Sequence, residues 1–310
     1  MENILEIKNL NLSFDIEDNF YPCLKNISMS LKRNTFYALV GESGCGKSIL
    51  ASSIIGLIPK NAKITSGEII LNGENILEDD KQKKIRGRKI AYIPQDPMTS
   101  LNPLWTIENQ MMEVLDLESG LCFEDKKKKI IEALELVQIK EPEKRLKSYP
   151  HELSGGMRQR VIIAMALLTS AEIIIADEPT TALDVTIQAQ ILDILKDIQK
   201  MGKTILFITH NLGVVYKYAD IASVMYLGEI VEKNSATNII NSPKHPYTKA
   251  LLGAIPRKNA KKLQNIKGAP SPIIEKIDGC LFHKRCEIAD EFCALNHPEL
   301  NDGVRCFKAE

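Results

Sequence analysis

The chain has 310 residues, 44% of them hydrophobic and 26% charged, with 40 basic and 40 acidic side chains that cancel at neutral pH. That length buries a substantial core without disulfide staples, and the composition excludes intrinsic disorder or a coiled coil as a description of the whole chain. The balanced charge argues against nucleic-acid binding driven by bulk electrostatics, and the longest wholly apolar run near the middle, Val161 to Leu168, falls far short of the roughly 20 residues that a membrane-spanning helix needs. Met1-Glu2-Asn3 opens no basic and apolar leader, so a cytoplasmic location is expected.

In chain order, Ile4 to Ile7 and Asn11 to Phe14 read as short strands. Phe36 to Val40 is an apolar run stopped by Gly41, the pattern of a buried strand running into a loop. Ile49 to Ile58 reads as a helix that ends before Pro59. Gly67 to Asn72 and Gly73 to Leu77 read as a strand and a turn, and Ile90 to Ile93 as a strand broken at Pro94. From Asn102 to Lys147 the pattern becomes helical and rich in Lys and Glu, with Lys126 to Lys129 as a solvated helix face. A helix follows Pro150, then the strand Ile173 to Ala176, the helix Ile187 to Gln199 and the strand Thr204 to Ile208. Strands alternating with helices predict an α/β fold with a mostly parallel sheet. Beyond about Pro256 the pattern weakens into Lys-, Pro- and Cys-bearing segments, and a domain boundary is expected there.

Gly41-Glu42-Ser43-Gly44-Cys45-Gly46-Lys47-Ser48 has the spacing G-x-x-x-x-G-K-[ST], between a strand and a helix. Glycines let the backbone curl until successive N–H groups point at phosphate oxygens, and the following helix adds the positive end of its dipole. Lys47 is expected to reach the β- and γ-phosphates of a nucleotide and the Ser48 hydroxyl to ligate Mg²⁺. Cys45 reads as a small tolerated side chain within the loop. The strand Ile173 to Ala176 runs into Asp177-Glu178-Pro179. Asp177 is placed to hold Mg²⁺ through water, and Glu178 to polarise an attacking water as general base. Together with the phosphate loop, this pair makes nucleotide hydrolysis the leading reading. Leu153-Ser154-Gly155-Gly156-Met157-Arg158-Gln159-Arg160 forms a second anion-binding helix start, with Ser154 as N-cap and two glycines that admit close backbone approach.

These residues resemble the ATP-binding subunit of ABC transporters, whose signature reads Leu-Ser-Gly-Gly-x-x-x-Arg. The family's other motifs follow in order. Gln95 in Tyr92-Ile93-Pro94-Gln95 matches the Q-loop glutamine, which senses Mg²⁺ and the transmembrane partner. Ala182-Leu183-Asp184 matches the D-loop, and His210 after Phe207-Ile208-Thr209 matches the switch histidine. Phe14 resembles the aromatic residue that stacks on adenine, with Phe20 and Tyr21 as neighbouring alternatives. The resemblance implies a P-loop ABC ATPase cassette over residues 1–255, with an N-terminal antiparallel β part and a helical subdomain at 96–160. It implies that two cassettes face head to tail, each ATP lying between one phosphate loop and the partner's Ser154-Gly155-Gly156. With Glu178 and His210 both present, the chain is expected to hydrolyse ATP rather than act as a degenerate regulatory subunit.

Three further stretches narrow the resemblance to the dipeptide, oligopeptide and nickel importers: Met98-Thr99-Ser100-Leu101-Asn102-Pro103, Asn211-Leu212-Gly213-Val214-Val215 and His245-Pro246-Tyr247-Thr248-Lys249-Ala250-Leu251-Leu252. It implies partners: a second, non-identical ATPase subunit, two transmembrane permease subunits, and an extracytoplasmic solute-binding protein acting indirectly. No nucleic-acid partner is expected, and the chain would lie at the cytoplasmic face of the membrane. Peptide import is the leading function, with nickel or a metal chelate as the alternative cargo. A soluble ABC-type ATPase acting on nucleic acid is disfavoured, because the chain carries one cassette and no long coiled-coil insertion between Ser48 and Ser154.

Residues 256–310 form a small Cys-rich extension with the spacing Cys280-x₅-Cys286-x₆-Cys293-x₁₂-Cys306. Four thiolates can organise a weakly hydrophobic tail around a metal centre. The resemblance points to a [4Fe–4S] cluster. Zn²⁺ is the rival, disfavoured by the lack of tight C-x₂-C pairs, and His283 and His297 are available as substitute ligands. Four free thiols in a loose tail are the remaining reading.

Overall fold

The computed structural model describes residues 2–116, 120–181, 183–254 and 266–309, without the side chain of Asp79. The strands are β1 (Asn3–Ile16), β2 (Asn19–Lys32), β3 (Phe36–Val40), β4 (Ala62–Leu71), β5 (Glu74–Asn75), β6 (Ile90–Ile93), β7 (Ile173–Asp177), β8 (Thr204–Thr209), β9 (Ile221–Tyr226) and β10 (Glu229–Ser235). The helices are α1 (Lys47–Ile55), α2 (Asp79–Ile85), α3 (Pro97–Ser100), α4 (Ile107–Asp116), α5 (Phe123–Leu136), α6 (Pro142–Leu146), α7 (Gly155–Leu168), α8 (Val185–Lys200), α9 (Leu212–Tyr218), α10 (Ala236–Asn241), α11 (Pro246–Gly253) and α12 (Glu291–Leu295). The chain divides into two compact units, one of residues up to Gln82 and from Ile208 onward, the other Lys83–Phe207. The expected boundary at 255/256 lies outside the described residues.

In the first unit, an antiparallel sheet has the order β2-β1-β4-β5. The two strand runs expected at the N-terminus are one strand, interrupted by a register shift between Ile7 and Leu10, where Asn9 has a positive φ of 48°. A two-residue hairpin, Glu17-Asp18, joins β1 to β2 with both residues at positive φ, the twist that matches paired strands. Sequence reading made no assignment for β2. Its Pro22 is tolerated because β2 is an edge strand, where a missing N–H costs no ladder bond. The helix expected at 49–58 is shorter at its C-terminus, because Gly56 takes a left-handed cap and donates to Ser53 O.

The strand expected at Phe36–Val40 is β3 and every residue in it is buried. It runs parallel to β9, which pairs antiparallel with β10. Burial on both faces explains why β3 is an unbroken apolar run rather than an alternating one. Phe36 N–H donates to Asp220 Oδ2 at 2.7 Å, anchoring the strand's start. The core here is built from Val40, Val224, Tyr226, Tyr247, Leu281 and Phe282, so residues of the Cys-bearing segment are part of it.

That segment is also tied to β10. Arg305 N–H donates to Val231 O, Lys233 N–H donates to Gly303 O, and Glu232 and Val304 form an isolated antiparallel bridge. Arg305 Nε donates to Ile230 O at 3.1 Å. The Glu229 carboxylate, 5% exposed, receives His297 Nε2 at 2.9 Å and has Arg305 Nε at 3.6 Å.

In the second unit, β6 and β7 pair in parallel with Ile90 opposite Ile173, and Thr204 N–H at the start of β8 donates to Glu172 O. The helical stretch expected over 102–147 is α4, α5 and α6. Lys128 and Lys129 of α5 are exposed, while Lys126 pairs with Asp116. Helix α7 buries Val161, Ile163 and Ala164 completely, which explains a sequence that is apolar all round. Helix α8 is amphipathic and buries Ile191, Leu192, Ile194, Leu195 and Ile198.

Candidate active site

The first unit carries the phosphate loop. The chain leaves β3 at Gly41, where an added Cβ would stand 2.2 Å from Met225 O. That contact is with backbone, so no side chain can be accommodated there. Gly44 and Gly46 have φ of 80° and 103°, the left-handed region that favours glycine. Gly46 is the N-cap residue of α1 and provides no side-chain cap. Lys47 is 4% exposed, and its Nζ donates to Gly41 O and Glu42 O, both at 2.9 Å. Ser43, Gly44 and Ser48 are exposed. Cys45 is 4% exposed and burial pushes its thiol up, as burial pushes Cys23 up to about 11. The Cys45 carbonyl accepts from Gly228 N–H at 3.0 Å.

Two more expected site residues belong to this unit. Phe14 is half-buried in β1, opposite Tyr21 on β2 and Ala62 on β4, while Phe20 is 61% exposed. His210 is exposed just after β8, before Asn211, whose side chain caps α9 by accepting from Gly213 N–H at 2.9 Å.

The second unit carries the carboxylates and the signature. Asp177 ends β7 and is 2% exposed, and Tyr92 Oη donates to its Oδ2 at 2.9 Å. The contact with the Asp177 carboxylate and burial both push the Tyr92 hydroxyl up, burial most. Glu178 has a φ of 44°, unusual for a residue with a side chain. That strain costs about 1 kcal/mol or more and persists only where the surroundings impose it. Its Oε2 accepts from Thr181 Oγ1 at 2.9 Å. Gln95 is exposed, one residue before Asp96, which caps α3 by accepting from Met98 N–H at 2.8 Å.

Ser154 caps α7, accepting from Met157 N–H at 3.3 Å, and Asp184 caps α8, accepting from Ile187 N–H at 3.0 Å. The two helix starts lie side by side. A Cβ on Gly156 would stand 2.8 Å from Ile187 Cγ2, and one on Gly155 would stand 3.7 Å from Leu183 Cδ2. Gln188 Nε2 donates to Thr180 O and Leu183 O, both at 2.9 Å, pinning the connection that leaves Glu178. Ala182 of the expected D-loop lies outside the described residues. Signature, D-loop and the carboxylate pair are thus mechanically linked inside one unit.

All four C-terminal cysteines line one cavity, together with His245 and His283. Burial pushes Cys280 up to about 11, and the other three thiols push it the same way. Burial raises Cys286 and Cys306 as well. Among the described residues, no group of three or more His, Cys, Asp or Glu stands close enough to hold a metal ion. His297 is engaged with Glu229 instead. Sequence reasoning missed Tyr92, Thr181 and Arg285, whose Nη1 donates to Glu42 Oε2 at 2.7 Å. The stretch around Tyr247 narrows the resemblance, but spacing alone gives Tyr247 no contact in the site.

Residues 24–181 match the family model of the ABC transporter, and residues 231–293 match that of the oligopeptide/dipeptide transporter C-terminal region. The chain is similar to the dipeptide transport ATP-binding protein DppD of Bacillus subtilis, 45% identical over 304 residues, 96% of this chain and 91% of that protein. It is 42% identical to the oligopeptide transport ATP-binding protein AppD of the same organism, over 100% of this chain and 98% of the other. Among solved structures, it resembles a dimeric ATP-binding cassette in a post-hydrolysis state bound to ADP and Pi. The TM-score is 0.67 at 29% identity, over 75% of this chain and 98% of that one. The chain belongs to the ATP-binding proteins of ABC transporters, in the branch that carries the oligopeptide/dipeptide C-terminal region. It has the ABC ATPase cassette fold and is an ATPase of that type.

Replacing Gly156 by Ala forces Ile187, and with it the first turn of α8, away from α7. Gly156→Ala is expected to lower unfolding stability by about 1 kcal/mol and to reduce ATPase activity. Denaturant unfolding and steady-state turnover check this, and a second change, Ile187→Ala, is expected to recover stability by vacating the space.

Proposed function

We propose that the chain is the ATP-hydrolysing subunit of an importer of di- and oligopeptides. The observation that carries the reading is the pairing, in one chain, of the ABC transporter match over residues 24–181 with the oligopeptide/dipeptide C-terminal region over residues 231–293.

The loop N–H groups from Gly41 to Ser48 and the first turn of α1 hold the β- and γ-phosphates, and Lys47 exchanges its two carbonyl partners for phosphate oxygens. Phe14 stacks on the adenine. The Ser48 hydroxyl and the Asp177 carboxylate, with Gln95, are hard oxygen donors of the kind that hold Mg²⁺. When bound, that ion neutralises charge on the transferring phosphoryl group. Glu178 takes the proton of the attacking water at its carboxylate, and His210 contacts the γ-phosphate end of the site. The strained backbone of Glu178 and its bond from Thr181 fix the direction of that carboxylate before substrate arrives.

A second ATPase subunit, a paralogue rather than an identical copy, presents its own signature to this nucleotide. In return, Ser154, Gly155, Gly156 and Asp184 face the nucleotide of the partner. The exposure of Ser154 and Asp184, and of Val185 at 81%, supports an interface there. Two permease subunits hold the cassette at the cytoplasmic face of the membrane, and a solute-binding protein delivers peptide to them. Exposed Met98 (59%), Leu104 (81%) and Trp105 (44%), just beyond Gln95, support a docking place for a permease segment. No described helix is long and apolar enough to cross a membrane itself.

The four C-terminal cysteines hold a [4Fe–4S] cluster of structural role. Four soft donors around one cavity suit it.

Two experiments test this reading. In cells lacking the gene, restoring it is expected to restore uptake of a labelled dipeptide. Restored nickel uptake with no peptide uptake would assign the chain to a metal importer. Anaerobically purified protein is expected to carry about four irons and four acid-labile sulfides per chain, lost in Cys286→Ser. Stoichiometric zinc without iron would contradict the cluster.

A further inference from the structure

The mechanism above leaves two features without a role: the His245-Pro246-Tyr247-Thr248 stretch and the segment around the cysteines. Both converge on Glu42, the second residue of the phosphate loop. The Glu42 N–H donates to Tyr247 Oη at 3.0 Å, and its carbonyl accepts from Lys47 Nζ at 2.9 Å. Its carboxylate is gripped by Arg285 with two parallel bonds, Nη1 to Oε2 at 2.7 Å and Nη2 to Oε1 at 3.0 Å. Backbone and side chain of this one residue are therefore fixed from the C-terminal segment, while its carbonyl fixes the phosphate-binding lysine.

The grip is built rather than incidental. The Arg285 side chain is 6% exposed. Its Nε donates to Lys267 O at 2.9 Å, its Nη2 to Gly268 O at 3.3 Å and its Nη1 to Tyr226 Oη at 3.3 Å. Tyr226, Tyr247 and Phe282 pack against one another with ring centroids 4.6 to 5.3 Å apart, a rigid floor beneath the pair. A bidentate guanidinium–carboxylate pair fixes orientation as well as distance, which a lysine cannot do. Arg285 immediately precedes Cys286, so whatever orders the cysteine pocket also orders the grip.

We propose that Arg285 is a positioning residue of the nucleotide site: by holding Glu42 it keeps the start of the phosphate loop, and through it Lys47, in the form that receives ATP. The proposal rests on the reading of residues 41–48 as the phosphate loop, and predicts that losing the grip weakens nucleotide binding more than it slows a saturated enzyme.

The test is a double-mutant cycle in the full-length chain, with trinitrophenyl-ATP and Mg-ATP as probes and melting temperature read in parallel. Arg285→Ala is expected to raise the ATP Kd and KM by about tenfold, with a much smaller change in kcat. Glu42→Gln is expected to do the same, and the double variant to be no worse than either single one. Arg285→Lys is expected to recover only part of the affinity. Should Arg285→Ala fail to fold, Glu42→Gln carries the test, since it leaves Arg285 with its carbonyl partners. Unchanged Kd in both singles, additive losses in the double, or a fall in kcat at constant KM would overturn the proposal. Lys47→Ala separates the two levels: loss of ATP binding there beside unchanged Kd in the Arg285 and Glu42 variants refutes the positioning role and leaves the phosphate loop standing, whereas wild-type binding in Lys47→Ala refutes the phosphate loop itself.

Discussion

The passage of Gly41 beneath the Met225 carbonyl is the constraint on which the nucleotide site depends. A fully buried strand, Phe36–Val40, delivers the chain to that point, and the absence of a Cβ lets it turn there. From this turn the loop curls through Gly44 and Gly46 in conformations that glycine adopts without strain. Helix α1 then starts with no side-chain cap. A buried ammonium would be costly at such a place, and the loop's own carbonyls meet it by accepting from Lys47. The loop thus holds its ammonium in place through its own backbone carbonyls.

Much of this was legible in the sequence because phosphate chemistry demands particular residues at fixed spacing. Gly41 to Ser48, Asp177, Glu178 and the Ser154 cap all lie on the elements expected of them. The fully buried strands β3 and β7 were equally legible, since burial on both faces leaves an unbroken apolar run. What escaped was structure held by long-range pairing. Strand β2 carries Pro22 and polar residues and is recognisable only beside β1. The β9–β10 hairpin supplies the Met225 carbonyl beneath Gly41, but nothing local in its sequence announces a role. Tyr92 and Thr181 act through single hydrogen bonds to Asp177 and Glu178, and no spacing rule predicts such partners.

The C-terminal segment shows the same limit more sharply. Its Lys-, Pro- and Cys-bearing sequence reads as an appendage. Yet Arg305 and Gly303 bond to the edge of β10, Leu281 and Phe282 enter the core, and Arg285 closes on Glu42. A weakly hydrophobic tail cannot order itself by burial alone. It is ordered here by backbone pairing to an existing strand, by a buried ion pair, and by four cysteines gathered around one cavity. The C-terminal segment is in this way physically continuous with the Gly41–Ser48 loop.

The second unit couples its own parts with similar economy. Gly156 lets α7 lie against Ile187 at the start of α8, and Gln188 pins the connection back toward Glu178, so the two helix starts and the end of β7 are held together within the unit. The most direct test of the account is ATP binding and turnover by Glu178→Gln, measured together in the same preparation. The account predicts that ATP binds with undiminished affinity, that hydrolysis is abolished, and that the protein accumulates as an ATP-bound closed dimer with its partner subunit. Hydrolysis at the wild-type rate in that variant would contradict the general-base role of Glu178.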